Sequence, residues 1–321
     1  MKNIYLDQNH WIYLARDAWG QPHKESHRGI SNELRRMVDA DVIRIPVSIL
    51  HFIECLHSVD PGRRASLAKV FDEYSRSWQI ATLDHVLPAE MALAIRRVLG
   101  FVDSTEPPSI FGKGFLFGLG AQVTQMLRQR WSKAELKTLT ALSALPGATL
   151  DLLATVVTEA RDMQSSLSRD TARRYADAAE QLRQTRQGIP KNVHRRVHWA
   201  SYTVDYQELL RSALLEQNVP LSRFYERGPD FLGEFWSSIP TLDVGCELTI
   251  YRDRQWTRSV EANDMVDIGH LAIAVPYCDV VVTERFWRRA IEETRVDQKY
   301  DTVVYAGLED LRQYLEMAAS A

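Results

Sequence analysis

The stretch NDMVDIGHLAIAVPYCDVVVTE, residues 263–284, decides the fold. A helical run from about Asp264 to Val275 stops at Pro276, which cannot continue a hydrogen-bonded helix. The uninterrupted run Val280-Val-Val-Thr283 follows. A strand of β-branched residues without polar alternation is buried on both faces, as in a parallel sheet. The same alternation recurs toward both ends of the chain. Ile4-Tyr-Leu6 is a short apolar run that leads into a helix from His10. Val42 to Val47 is a second run with Pro46 near its end, and Ser48 is placed to cap a helix through Ile49, Phe52, Ile53 and Leu56. Gln79 to Leu83 precedes a helix near Ala89 to Leu99. Val303 to Tyr305 precedes a helix from Leu308 to Met317. Strands separated by helices predict an α/β fold around a central parallel sheet.

The middle reads differently. Residues 101–240 carry few strand-like runs, and Ala121–Leu145 and Leu150–Gln187 are long helical patterns. The expected organisation is a core made of 1–100 and 241–321, with 101–240 inserted as an all-α lobe. That segment holds 17 basic and 15 acidic residues. Within it, residues 161–200 hold nine Lys or Arg against four Asp or Glu. Arg173, Arg174, Arg195 and Arg196 are therefore candidate contacts for an anionic substrate, although a solvated helix face has the same composition.

Composition excludes several classes. Hydrophobic residues are 45% and charged residues 25% of 321 residues, which rules out a mainly disordered chain. No apolar run approaches the roughly 20 residues that cross a bilayer, so no membrane partner is expected. An acid at position 7 interrupts any secretory pattern. Three scattered cysteines, Cys55, Cys246 and Cys278, form no CxxC pair, and a reducing cytoplasm is the expected compartment. The net charge of −3 excludes a globally basic nucleic-acid coat but not a nuclease. Gly112-Lys-Gly114 does not fit the phosphate-loop pattern and reads as a turn.

Several acids share one kind of position. Asp7 ends the first strand. Glu54 lies in the helix after the second. Asp264 and Asp267 open the helix before Pro276, and Glu284 follows the Val280 run. In an open parallel sheet the carboxyl ends of the strands and the adjoining helix starts form one rim, where ligands bind. Carboxylates gathered there need a counter-charge, and a divalent cation supplies it. Hard cations held by carboxylates activate water and stabilise the oxygens of a phosphodiester displacement. Each acid also has a plain structural role, since strand ends and first helical turns favour acids in any protein. His270, three residues after Asp267, fits packing better than metal binding. His10 and Trp11 fit core packing better than contact with a substrate base.

The segments Ile4-Tyr-Leu-Asp-Gln-Asn9, Ser48-Ile-Leu-His-Phe-Ile-Glu54, Asn263–Ala274 and Asp279–Glu284 resemble the PIN-domain family of metal-dependent nucleases. The resemblance covers about 1–100 and 241–321. It implies a three-layer fold, a Mg²⁺ or Mn²⁺ site and hydrolysis of RNA by water. Asp7, Asp267 and Glu284 would be the metal ligands, Glu54 would assist, and Asp264 joins the candidate catalytic set. Asn9 matches a small polar residue that braces the first acid. The fourth acid departs from the family pattern, because Glu284 directly follows Thr283. The large middle segment also has no counterpart in the small toxin-type members. An endoribonuclease is thus expected, with RNA as partner and an inhibitory or regulatory protein as a further one. The alternatives are a catalytically degenerate scaffold of the same fold that binds RNA or a partner, and a DNA-directed nuclease.

Overall fold

In the computed structural model, β1 (Lys2–Leu6), β2 (Ile43–Arg44), β3 (Trp78–Ile80), β4 (Phe111–Lys113), β5 (Val280–Val282) and β6 (Val303–Tyr305) form two sheets. The structure describes residues 1–57, 60–101, 107–148 and 158–320. The larger sheet has the order β2-β1-β5-β6 and is parallel throughout. β1 and β5 occupy its centre, with Ile4, Tyr5 and Leu6 opposite Val280, Val281 and Val282. These six side chains are buried, as an apolar run without alternation requires.

By packing, the chain divides into two units. The first comprises Met1–Thr82, Ile110–Thr171 and Ala274–Ala321; the second comprises Leu83–Ser109 and Ala172–Ile273. In the first, helices α1 (Gln8–Ala18), α2 (Ile30–Asp39), α3 (Ile49–His57) and α4 (Pro61–Ser75) join the sheet around a core that includes Trp11, Leu14, Leu34, Phe71, Val280 and Leu311. α1 starts directly at the end of β1 because Asp7 caps it, accepting from the His10 amide at 3.2 Å. Ser48 opens α3 in the expected way, with Oγ accepting from the Leu50 amide at 3.2 Å.

The expected lobe boundaries of 101–240 differ from the units. β4 pairs antiparallel with β3, which draws residues from Ile110 onward into the first unit. The Gly-rich stretch is a strand and a close-packing point rather than a simple turn. A Cβ on Gly112 would lie 2.3 Å from the Phe117 ring, and Gly114 has φ of +90° with the Ser143 hydroxyl 2.3 Å from where its Cβ would be. The expected long helix over 121–145 is two helices, Gly120–Arg130 and Lys133–Ser143. The break comes from a capping box, in which Ser132 and Glu135 bond each other's backbone amides. Part of the expected 150–187 helix is observed as Thr158–Thr185, and its start lies outside the described residues.

Among the described residues the second unit holds helices and no strand. α5 (Leu83–Leu99) shares a core with the helices Gln207–Glu216 and Gly228–Ser237, through Met91, Ile95, Leu210, Leu214, Phe235 and Trp236. The helix Asp264–Tyr277 starts in this unit, and its last turn belongs to the first. No helix of the described residues is long and apolar enough to cross a membrane.

Candidate active site

The carboxyl ends of β1 and β5 are adjacent. Leu6 is in register with Val282, and the Asp7 amide donates to the Val282 carbonyl at 3.0 Å. Asp7 therefore leaves the sheet one position beyond the β1 end, and Glu284 two positions beyond the β5 end. Asn9, one residue into α1 beyond Gln8, joins the two ends: its Nδ2 donates to Glu284 Oε1 at 2.6 Å. Glu284 sits at the start of the helix Arg285–Thr294 without capping it through its side chain, which leaves its carboxylate turned to Asn9.

Asp7 is half-buried and already engaged. Besides the cap on the His10 amide, its Oδ1 makes a close contact with Nδ1 of His10. The other ring nitrogen of His10 faces the Ala306 carbonyl at 3.4 Å, beyond the end of β6. His10 is 3% exposed, so it braces Asp7 from inside the fold. The reading of His10 as mere packing missed this. The signal was its i+3 spacing from a helix-capping Asp, which puts an imidazole within reach of the cap carboxylate.

The remaining candidates lie on other elements. Glu54, on α3, lines a cavity of about 820 Å³ in the first unit together with Gln8, the neighbour of Asp7. Asp264 and Asp267 belong to the second unit. Asp264 is 1% exposed and gripped by Arg258, whose two terminal nitrogens donate to its two oxygens at 2.9 and 2.6 Å; it also accepts from the Glu261 amide at 2.9 Å. These bonds anchor the helix start and take up both carboxylate oxygens of Asp264. The Asp267 amide bonds the Asn263 carbonyl at 3.0 Å. Asp279 is structural as well, held by Lys2 at 2.7 Å and by the Asn3 amide at 2.8 Å, and these bonds keep its carboxyl below the usual range against the opposing effect of burial.

The basic segment is largely committed to internal acids. Arg195 Nε donates to Glu247 at 2.6 Å, Arg186 lies 4.0 Å from Asp253, and Arg183 is buried, bonded to Glu180 at 2.6 Å and to the Gln255 carbonyl at 3.2 Å. Arg196 is 3.9 Å from Asp230, while Arg173 and Arg174 are exposed. The three cysteines are buried, and burial pushes the Cys55 thiol up to about 11, far from a reactive thiolate.

Comparison with protein-family models, with curated proteins and with solved structures gives no match for this chain. The site is therefore judged on its own chemistry. Among the described residues no three His, Cys, Asp or Glu side chains gather at metal-holding spacing. Asp7 and Glu284, carried at the adjacent ends of β1 and β5, still fit Mg²⁺ or Mn²⁺ as a donor set, because such hard ions are commonly held by one or two carboxylates and complete their shell with water and substrate oxygens.

Proposed function

We propose that this chain is a PIN-like, divalent-metal-dependent endoribonuclease whose hydrolytic site is built on Asp7 and Glu284. The observation that carries the reading is the Asn9 bridge, which joins the ends of two neighbouring parallel strands where such folds bind ligands. A bound Mg²⁺ or Mn²⁺ would supply Lewis-acid chemistry, lowering the pKa of water and offsetting phosphodiester charge. The residues of the chain do the rest. His10 holds the Asp7 carboxylate in one orientation from below. Asn9 holds the Glu284 carboxylate through its side-chain amide. Glu54 stands in the adjoining cavity, placed to orient water or a substrate hydroxyl. Cys55, in the same cavity as Glu54, has its thiol pushed up to about 11 by burial, which favours water over this thiol as the attacking group.

The test is cleavage of single-stranded RNA and DNA oligomers, with and without Mn²⁺, by the intact protein and by Asp7→Asn. Mn²⁺-dependent RNA cleavage that the variant lacks is expected; equal cleavage by both proteins would sink the reading. A second reading is a catalytically silent scaffold of the same fold that binds RNA or a partner. It is favoured by the lack of a third acid among the described residues. Calorimetric titration with Mn²⁺ separates the two, since a scaffold gives no heat that depends on Asp7.

A further inference from the structure

We infer that the cavity beside α1 holds the single-stranded segment of substrate that flanks the cut bond. The guanidiniums of Arg16, Arg63 and Arg64 sit on its phosphates, and the indole of Trp19 stacks on one base. This inference rests on the reading of Asp7 and Glu284 as the hydrolytic site.

The cavity, about 820 Å³, lies wholly in the first unit. One wall is a single stripe of α1, Gln8, Ile12, Arg16 and Trp19, spaced by four, four and three residues. The facing wall is the start of α4 with Arg63 and Arg64. At 1.5 Å of rise per residue the α1 stripe is roughly 16 Å long, enough for several nucleotides. It begins at Gln8, the chain neighbour of Asp7, and Glu54 of α3 also lines the cavity. Trp19 is 46% exposed at the end of α1, where packing alone gives no reason for an indole. An exposed aromatic among guanidiniums is the composition of a single-strand platform, because charge tracks the backbone and any base can stack. A base in a duplex has no free face to offer. Two acids line the cavity, Glu54 and Asp60; Asp60 is occupied by the helix start, accepting from the Gly62 amide at 2.8 Å and the Arg63 amide at 3.3 Å. Its ion pair with Arg63, 3.5 Å long and exposed, is of the kind that contributes little and yields easily to a phosphate.

The experiment measures binding of a short fluorescent oligouridylate to the full-length protein at several salt concentrations. The Asp7→Asn background prevents cleavage. Arg16→Gln, Arg63→Gln and Arg64→Gln should each lower the log–log salt slope by roughly 0.7. Arg64→Lys, which keeps the charge, should restore it. Trp19→Leu should weaken binding roughly five- to hundredfold and leave the slope alone. An RNA duplex should compete more than about tenfold less well than the single strand. Slopes unchanged in all three glutamine variants, or full affinity in Trp19→Leu, overturn the inference. So does displacement of the RNA by a polyglutamate peptide at equal concentration, which would assign the groove to an acidic protein segment. The two readings fail separately: cleavage with unchanged slopes removes the groove alone, whereas altered slopes without metal-dependent cleavage remove the nuclease alone.

Discussion

At Asp7 one side chain serves two masters, the start of α1 and the proposed ion site. Asp7→Asn keeps the cap, because asparagine is as good at that position as aspartate, but it removes a charge. RNA cleavage should fall by roughly two orders of magnitude or more, while the far-ultraviolet circular dichroism stays that of the parent. Asn9→Ala should release the Glu284 carboxylate, with a loss of roughly 10- to 100-fold in Mn²⁺ affinity or rate, read by calorimetry beside the cleavage assay. A different residue governs pH. Burial, reinforced by Arg186, His194 and Arg252, pushes the His198 imidazole down to about 4. The unfolded chain takes up this proton near the ordinary value of about 6.5. Between those limits the unfolded state binds more protons, so stability rises with pH from about 4 to 6.5 and falls as pH drops through that window. The loss is on the order of 3 kcal/mol. His198→Phe keeps a ring against Tyr202 but cannot titrate. Urea midpoints of this variant should be flatter with pH across the window; the same pH dependence in both proteins would show that His198 is not responsible.

At the scale of elements, the small β3–β4 sheet depends on glycine. Gly114→Ala meets both a left-handed backbone and the Ser143 hydroxyl. It should cost about 1–3 kcal/mol, measured as a lower urea midpoint, with cleavage per folded molecule unchanged. The strands and helices themselves were legible. Val280–Val282 has no polar alternation, and Ser48 and Asp7 are recognisable caps. The break at Trp131 was legible too, in Ser132-Lys-Ala-Glu135, had the capping box been weighed against the apolar periodicity. Strand pairing was not legible. Nothing in Ile4-Tyr-Leu6 states that its neighbour is Val280–Val282, yet that register is what brings Asp7 toward Glu284. The internal partners of the basic stretch were not legible for a similar reason. Glu247 and Asp253, which take up Arg195 and Arg186, lie 52 and 67 residues downstream and become neighbours only on folding. The Arg258 grip on Asp264 was closer at hand, six residues away, but a loop of that length has no fixed geometry in the sequence alone.

At the scale of the whole molecule, the proposed ion site lies in the first unit. Hydrogen exchange with and without Mg²⁺ should therefore show added protection at the ends of β1 and β5 and the start of α1, and none in Leu83–Ser109 or Ala172–Ile273. Protection at the first turn of the helix Asp264–Tyr277 would bring Asp267 into the ion-binding set. The central pair of strands also has a consequence in time. Asn9 and Glu284, the two ends of the bridge, are 275 residues apart in the chain. On a ribosome adding about 5–20 residues per second, β1 emerges and then waits on the order of half a minute before β5 is made. Throughout that interval the central strand of the sheet has a bare edge, and Asp7 has no Glu284 beside it. On the proposed function, a chain made in this order has no paired Asp7 and Glu284 until β5 and the residues after it are made, and a chain broken off before that point lacks the proposed site.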